Sequence, residues 1–222
     1  MRVKVCGITT HEDASVAIRL GADALGFLVG LLHESEDEIS AKAAAELVAT
    51  LPPFVSGTLV THRAEPAEVR ELCRDVRPQV LQLHGEFPLD RIPQLREEFP
   101  PLRIVRVVHV ENERAVELAK ATAPYVDAVI LDTKTATRIG GTGMTHDWSI
   151  SRRVRDAVAG TPVILAGGLN PENVASAIAR VRPYAVDVNT GVSLRRGKKS
   201  PELMERFIRE VKRATVEIAF RP

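Results

Sequence analysis

The sequence predicts an α/β protein of the (β/α)8 TIM barrel class. Short β-branched runs alternate with helix-length amphipathic stretches eight times, the rhythm of β–α units laying down a parallel sheet. Eight such units in 222 residues suit a closed barrel at the compact end of its size range. No Gly/Ser-rich linker interrupts the chain, so residues 1–222 are expected to form one barrel domain. A doubly wound open sheet shares this rhythm and is the alternative topology.

The elements follow in order. Strand 2–6 leads to a helix over 11–20, where Thr9 followed by Glu12 has the spacing of a capping box. Strand 24–29 precedes a helix over 40–50, and strand 55–60 a helix over 66–76. In that third helix Val69, Leu72, Cys73 and Val76 recur at i, i+3, i+4 and i+7, which assigns Cys73 to the core. Strands 79–84, 103–109 and 127–132 alternate with helices 88–98, 111–122 and 149–158. Strand 162–166 meets a helix over 171–181, begun by Pro171 after Asn170. Strand 185–189 precedes the last helix, 201–214. The remaining stretch, "TVEIAFRP" at 215–222, alternates apolar and polar residues without an evident partner.

Charge and cysteine usage narrow the setting. Thirty basic against 29 acidic side chains leave a formal charge of +1, which implies no nucleic acid or other polyanion as partner. Cys6 and Cys73 form no C-x-x-C pair, and no secretory segment follows Met1, so a reducing, cytoplasmic location is expected. Apolar runs such as "AVILD" fall far short of the ~20 residues that span a bilayer, which excludes a membrane partner. Both monomer and homodimer remain open.

Polar residues recur on the strands at alternate positions, although both faces of a barrel strand are covered. Lys4 and Cys6 share one face of the first strand, Gln82 and His84 one face of the fourth, and Asp187 and Asn189 one face of the eighth. Arg106 interrupts the fifth and Asp132 closes the sixth. A purely structural layer of Lys4, Arg106 and Asp187 is one reading. Titratable groups ending separate strands, Cys6, His84 and Asp132, point instead to a site at the C-terminal mouth, where barrel enzymes hold their chemistry.

Three glycine clusters follow late strands: "GGTG" at 140–143, "AGGLNPEN" at 166–173 and "NTGVS" at 189–193. Phosphate binding needs backbone N–H groups that approach closely with no Cβ between, and barrels place such sites after strands seven and eight.

With these residues in place, the chain resembles the phosphoribosylanthranilate isomerases of tryptophan biosynthesis nearly end to end. The resemblance rests on "KVCGIT", "GADALGF", "LPPFV", "QLHG", "LDT", "GGTG" with "DW", "ILAGGLNPENV" and "PYAVDVNTGV", in that order. It implies a cofactor-free, metal-free Amadori rearrangement of a phosphorylated sugar-amine substrate. Cys6 would be the general base at C2 of the sugar and Asp132 the acid that opens the ring. Gly141, Gly167, Gly168, Thr190 and Gly191 would hold the phosphate, and His84 and Asp187 would line the pocket. The chemistry requires an acid that is protonated and a base that is not, so burial should raise Asp132 while a cation lowers Cys6.

The sequence departs from the family at one informative place. Where the family reads Ser-Pro-Arg-x-Ile, with an arginine that holds the anthranilate carboxylate, this chain reads "SEDEI", with Asp37 at the arginine position. A carboxylate does not replace a bidentate guanidinium. Arg63, Arg138 or His33 is then expected to take the carboxylate in a working phosphoribosylanthranilate isomerase. Two other readings stay open: an isomerase of the same type acting on an amine with a neutral or cationic aglycone, and a phosphosugar-binding barrel without catalysis.

Overall fold

A computed structural model describes residues 1–135, 138–139, 145–195 and 197–219. Strands β1 (Arg2–Cys6), β2 (Ala24–Leu28), β3 (Ser56–Thr61), β4 (Val80–Leu83), β5 (Arg103–His109), β6 (Ala128–Asp132), β7 (Val163–Leu165) and β8 (Ala185–Val188) form a closed parallel barrel. They stand round the barrel in chain order, and β1 closes on β8 with Lys4 opposite Asp187. The closure rules out the open doubly wound sheet. Helices α1 (His11–Leu20), α2 (Ala41–Ala49), α3 (Pro66–Val76), α4 (Ile92–Glu98), α5 (Arg114–Thr122), α6 (Trp148–Ala157), α7 (Val174–Val181) and α8 (Pro201–Ala219) follow the strands in turn. No helix among the described residues is long and apolar enough to cross a membrane.

Strand period explains the two cores. Val3 and Val5, Leu25 and Phe27, Leu81 and Leu83, and Val129 and Leu131 face outward into one large apolar cluster shared with the helices. The inward positions divide by sector. Val105, Val107, Ala128, Ile130 and Ala166 fill the β5–β7 side with apolar groups. On the opposite side the filling is polar: Lys4 Nζ donates to Gln82 Oε1 at 2.8 Å and to Asp187 Oδ2 at 2.9 Å. Both charges of that pair are buried, so removing either would strand the other at a cost of about 3–5 kcal/mol.

Arg106 does not belong to that layer. It shares strand parity with Ile104 and Val108, faces the helices, and donates to the Phe87 carbonyl at 2.6 Å. The start of α1 also differs from the capping box at Thr9 and Glu12. Thr10 is the N-cap and accepts from Asp13 N at 3.1 Å, while Thr9 Oγ1 donates to the Gly197 carbonyl at 2.9 Å. Asn170 bridges to Glu172 N and Asn173 N, so residues 171–173 form a turn and α7 begins only at Val174. At the other end α8 runs on to Ala219, which makes most of the 215–222 stretch helical rather than a separate tail. There Arg213 pairs with Glu217 one turn on, at 2.6 Å.

The β8–α8 connection is a small hairpin of Ser193–Arg195 with Lys198–Lys199. Its turn residue Gly197 receives Thr9 and donates its N–H to Asp37 Oδ1 at 2.9 Å. The β2–α2 loop is tied a second way, since Glu38 Oε1 accepts from Leu31 N at 2.9 Å.

Candidate active site

The strand ends converge on a cavity of about 130 Å³ at the C-terminal mouth. Cys6, His84, Asp132, Asp187, Gly167, Gly168 and Thr190 all line it, although they come from five separate β–α units. Cys6 and Lys4 turn inward beside Gly26, the register partner of Cys6. A Cβ at that glycine would stand 2.6 Å from Cys6 Sγ and 3.1 Å from Lys4 Cε, so only glycine leaves both side chains their room.

Burial sets the proton inventory. Asp132 is pushed up to about 7, chiefly because its charged form is desolvated, against the stabilising N–H of Thr133 at 2.7 Å. Cys6 is pushed up to about 11 by the same cause, with Lys4 and Lys199 pulling it down and Asp187 pushing it further up. The carboxyl is therefore able to hold a proton near neutral pH, and the thiol needs further positive charge to ionise.

A chain of hydrogen bonds orients the group next to the acid. Because Gln82 Oε1 accepts from Lys4, its amide Nε2–H faces His84 Nδ1, at 3.2 Å. That leaves the His84 proton on Nε2, which lies 3.5 Å from Asp132 Oδ2. Burial and the surrounding cationic groups hold His84 well below the usual imidazole range, so it is a neutral donor. Beyond Asp132, Thr133 Oγ1 meets His146 Nδ1 at 3.0 Å and His146 Nε2 meets Ser151 at 2.6 Å, which anchors the end of β6 to α6.

The two rims of the mouth are built differently. At β7 and β8, Gly167 and Gly168 have left-handed backbones at φ +81° and +67° and present main chain to the cavity. Gly191 stands behind them, where a Cβ would come within 1.9 Å of the Leu169 carbonyl oxygen; its lack of one lets the two loops touch. Gly141 and the side chain of Arg138 lie outside the described residues. At β2 to β5, His33, His62, His84 and His109 form a row with successive ring centroids 5.2, 5.0 and 5.4 Å apart. His62 and His84 also line a second cavity of about 270 Å³, where Arg63 lies, its guanidinium 3.7 Å from Glu68. Among the described residues no group of His, Cys, Asp or Glu has the arrangement of a metal site.

Sequence reasoning passed over Lys199. It is fully buried in the β8–α8 hairpin and bonds Asn189 and Ser193, and its ammonium acts on Cys6 and Asp37. The signal available was "GKKS", two lysines directly before a helix start. Asp37 is buried too, its carboxylate directed at Gly197.

Comparison with known proteins decides the family. The family model described as N-(5'-phosphoribosyl)anthranilate (PRA) isomerase matches residues 3–210. The chain belongs to the N-(5'-phosphoribosyl)anthranilate isomerase family. It is an isomerase of the class that carries out Amadori rearrangements in tryptophan biosynthesis. A relative of that name from Methanocella arvoryzae is 43% identical over 211 residues, 95% of this chain and 98% of the relative. The Thermotoga maritima phosphoribosyl anthranilate isomerase structure superposes with a TM-score of 0.85 at 40% identity, covering 96% of this chain and 98% of that one. A further structure of a family member, in complex with reduced 1-(o-carboxyphenylamino)-1-deoxyribulose 5-phosphate, superposes with a TM-score of 0.81 at 37% identity, over the same shares of the two chains.

Proposed function

We propose that this barrel converts N-(5'-phosphoribosyl)anthranilate to 1-(o-carboxyphenylamino)-1-deoxyribulose 5-phosphate, with Asp132 as general acid and Cys6 as general base. The observation that carries the assignment is a carboxyl group raised to about 7 at the same mouth as a buried thiol. Asp132 gives its proton to the ring oxygen, the C1–O bond breaks, and the amine lone pair closes a C1=N iminium. That cation then does two things at once: it acidifies the C2 proton and lowers the thiol beside it, supplementing Lys4 and Lys199. Cys6, ionised by release of its proton to solvent, takes the C2 proton, the electron pair moves into C1=C2 and neutralises the nitrogen, and solvent returns a proton to Asp132. Proton shift from the enol oxygen to C1 yields the ketone.

Phosphate binding falls to the backbone of Gly167 and Gly168 with Thr190, on the rim that Gly191 keeps compact. Gly141, in the loop after β6, is part of the same proposal. Asp187 Oδ1 is buried without a protein partner, which suits an acceptor for a sugar hydroxyl. His84 donates to Asp132 and guards its orientation. A thiol base that has to stay reduced suits the cytoplasm.

The test is Cys6→Ser. Turnover should fall by about 10²–10⁴-fold while affinity for the phosphosugar product stays within about threefold, because the loss falls on the transition state. Normal turnover by this variant removes the base. Failure of well-expressed wild-type protein to rescue a tryptophan auxotroph lacking the isomerase removes the anthranilate substrate. Asp37 favours one rival: a phosphosugar amine with a neutral or cationic aglycone, detected by turnover of such an amine in place of the anthranilate.

A further inference from the structure

The β7–β8 rim and the Cys6–Asp132 pair fix two points of a bound sugar phosphate. The substituent on its amine must then extend across the mouth toward the ends of β2 to β5. No lysine or arginine among the described residues lines the cavity there. The side chains able to become cationic are His33, His62 and His84, and His84 is engaged by Gln82 and Asp132. His62 Nδ1 accepts from Leu32 N at 3.4 Å, which places its proton on Nε2 and makes that atom a donor. We propose that His33 and His62 are a proton-coupled receptor for an aryl carboxylate: the pair donates N–H to the carboxylate and takes up one proton as it binds.

The charge environment supports uptake on binding rather than a standing cation. Burial, with His33 and His109 adding to it and Glu38 opposing, holds His62 at about 4. Of the anions on the same loop, Asp37 is committed to Gly197 N and Glu38 to Leu31 N, while Glu34, next to His33, and Glu36 are exposed to solvent. Across the second cavity Arg63 faces Glu68, and Glu65 and Glu86 stand at its solvent edge. An entering carboxylate would be the nearest anion within hydrogen-bond reach of His62 and would favour the imidazolium. An arginine at this place would carry its charge permanently; His62 acquires one only with the ligand. Affinity for a carboxylated aglycone therefore rises as pH falls.

This deepens the anthranilate reading and rests on it. Calorimetric titration in two buffers of different ionisation enthalpy reads proton uptake directly. The ligands are reduced 1-(o-carboxyphenylamino)-1-deoxyribulose 5-phosphate and its phenylamino counterpart, which lacks the carboxylate; titrations on phosphate and Asp132 cancel between them. Near pH ~5.5 the carboxyphenyl ligand should take up as much as about one proton more than the phenylamino ligand, because a bound carboxylate raises His62 by about 1–3 units from about 4. His33→Gln and His62→Gln should each weaken the carboxyphenyl ligand about tenfold and the phenylamino ligand less than about twofold, the latter also reporting an intact fold. Equal uptake by the two ligands, or equal weakening of both by the variants, overturns the receptor. If the phenylamino ligand binds and the carboxyphenyl ligand does not, the anthranilate reading itself falls. If neither binds, the phosphosugar site falls.

Discussion

The two rims of the mouth are built from different materials. At β7 and β8 the wall is main chain, shaped by glycines whose backbone angles and close contacts admit no side chain. At β2 to β5 the wall is a row of imidazole side chains. A backbone wall is all or none, since altering it means moving a loop. A side-chain wall can change its chemical preference one residue at a time. On the proposed reading the phosphate end is thus the fixed end of this site and the aglycone end the adjustable one.

The sharpest way to break that contrast is to alter the fixed end. Gly191→Val should press its branched side chain into the Leu169 carbonyl, separate the β7 and β8 loops and weaken phosphosugar binding by about 100-fold or more. It should also lower stability by about 1–3 kcal/mol, read by thermal unfolding. A variant that binds the product normally would show that the rim is not set by this contact.

Asp132 stands between the two rims, and its effect is smaller and dependent on pH. Its folded value of about 7 lies above the ordinary carboxylate range, so folding favours the protonated form. The cost to stability is absent below about pH 4, grows as pH rises toward 7 and is constant above that. Asp132→Asn should therefore unfold like wild type near pH 4 and be more stable by about 2–4 kcal/mol at pH 8, while losing turnover. Denaturant unfolding at the two pH values checks the sign; equal stability at both would mean that Asp132 is not held protonated.

The smallest effect should come from Gln82→Leu. Lys4 keeps Asp187, but His84 loses the donor that selects its tautomer. A fall in turnover of about tenfold is expected, with product affinity little changed. The nitrogen NMR shifts of His84 should report a mixture of tautomers, a signature that a merely structural role of Gln82 would leave unmoved.

Legibility in the sequence followed the same division. The barrel could be read because β-branched runs and amphipathic helices repeat locally, and glycines after late strands suggest phosphate by position alone. Gly191 also illustrates the limit: its place after the last strand suggests phosphate, but that it lets two loops meet at the Leu169 carbonyl is visible only in the fold. Parity within one strand decides that Arg106, which alternates with the inward Val105 and Val107, faces outward and away from Lys4. His62 and His109 gain meaning only beside His84, and that adjacency depends on three strands aligned across the barrel. Lys199 and Asp37 meet through a hairpin that closes about 160 residues after Asp37. Periodicity within a window carries no information about such a contact.

Gly197 joins three distant parts of the chain, because Thr9 near the start and Asp37 on the second loop both fasten to it. In the order of synthesis, the base-bearing strand and the aglycone loop exist long before the residue that secures them. Closure over such separations is entropically late, so the mouth should be the last region to acquire native protection against hydrogen exchange. A nascent chain that ends before Gly197 would carry the loops of Thr9 and Asp37 without the residue to which both fasten.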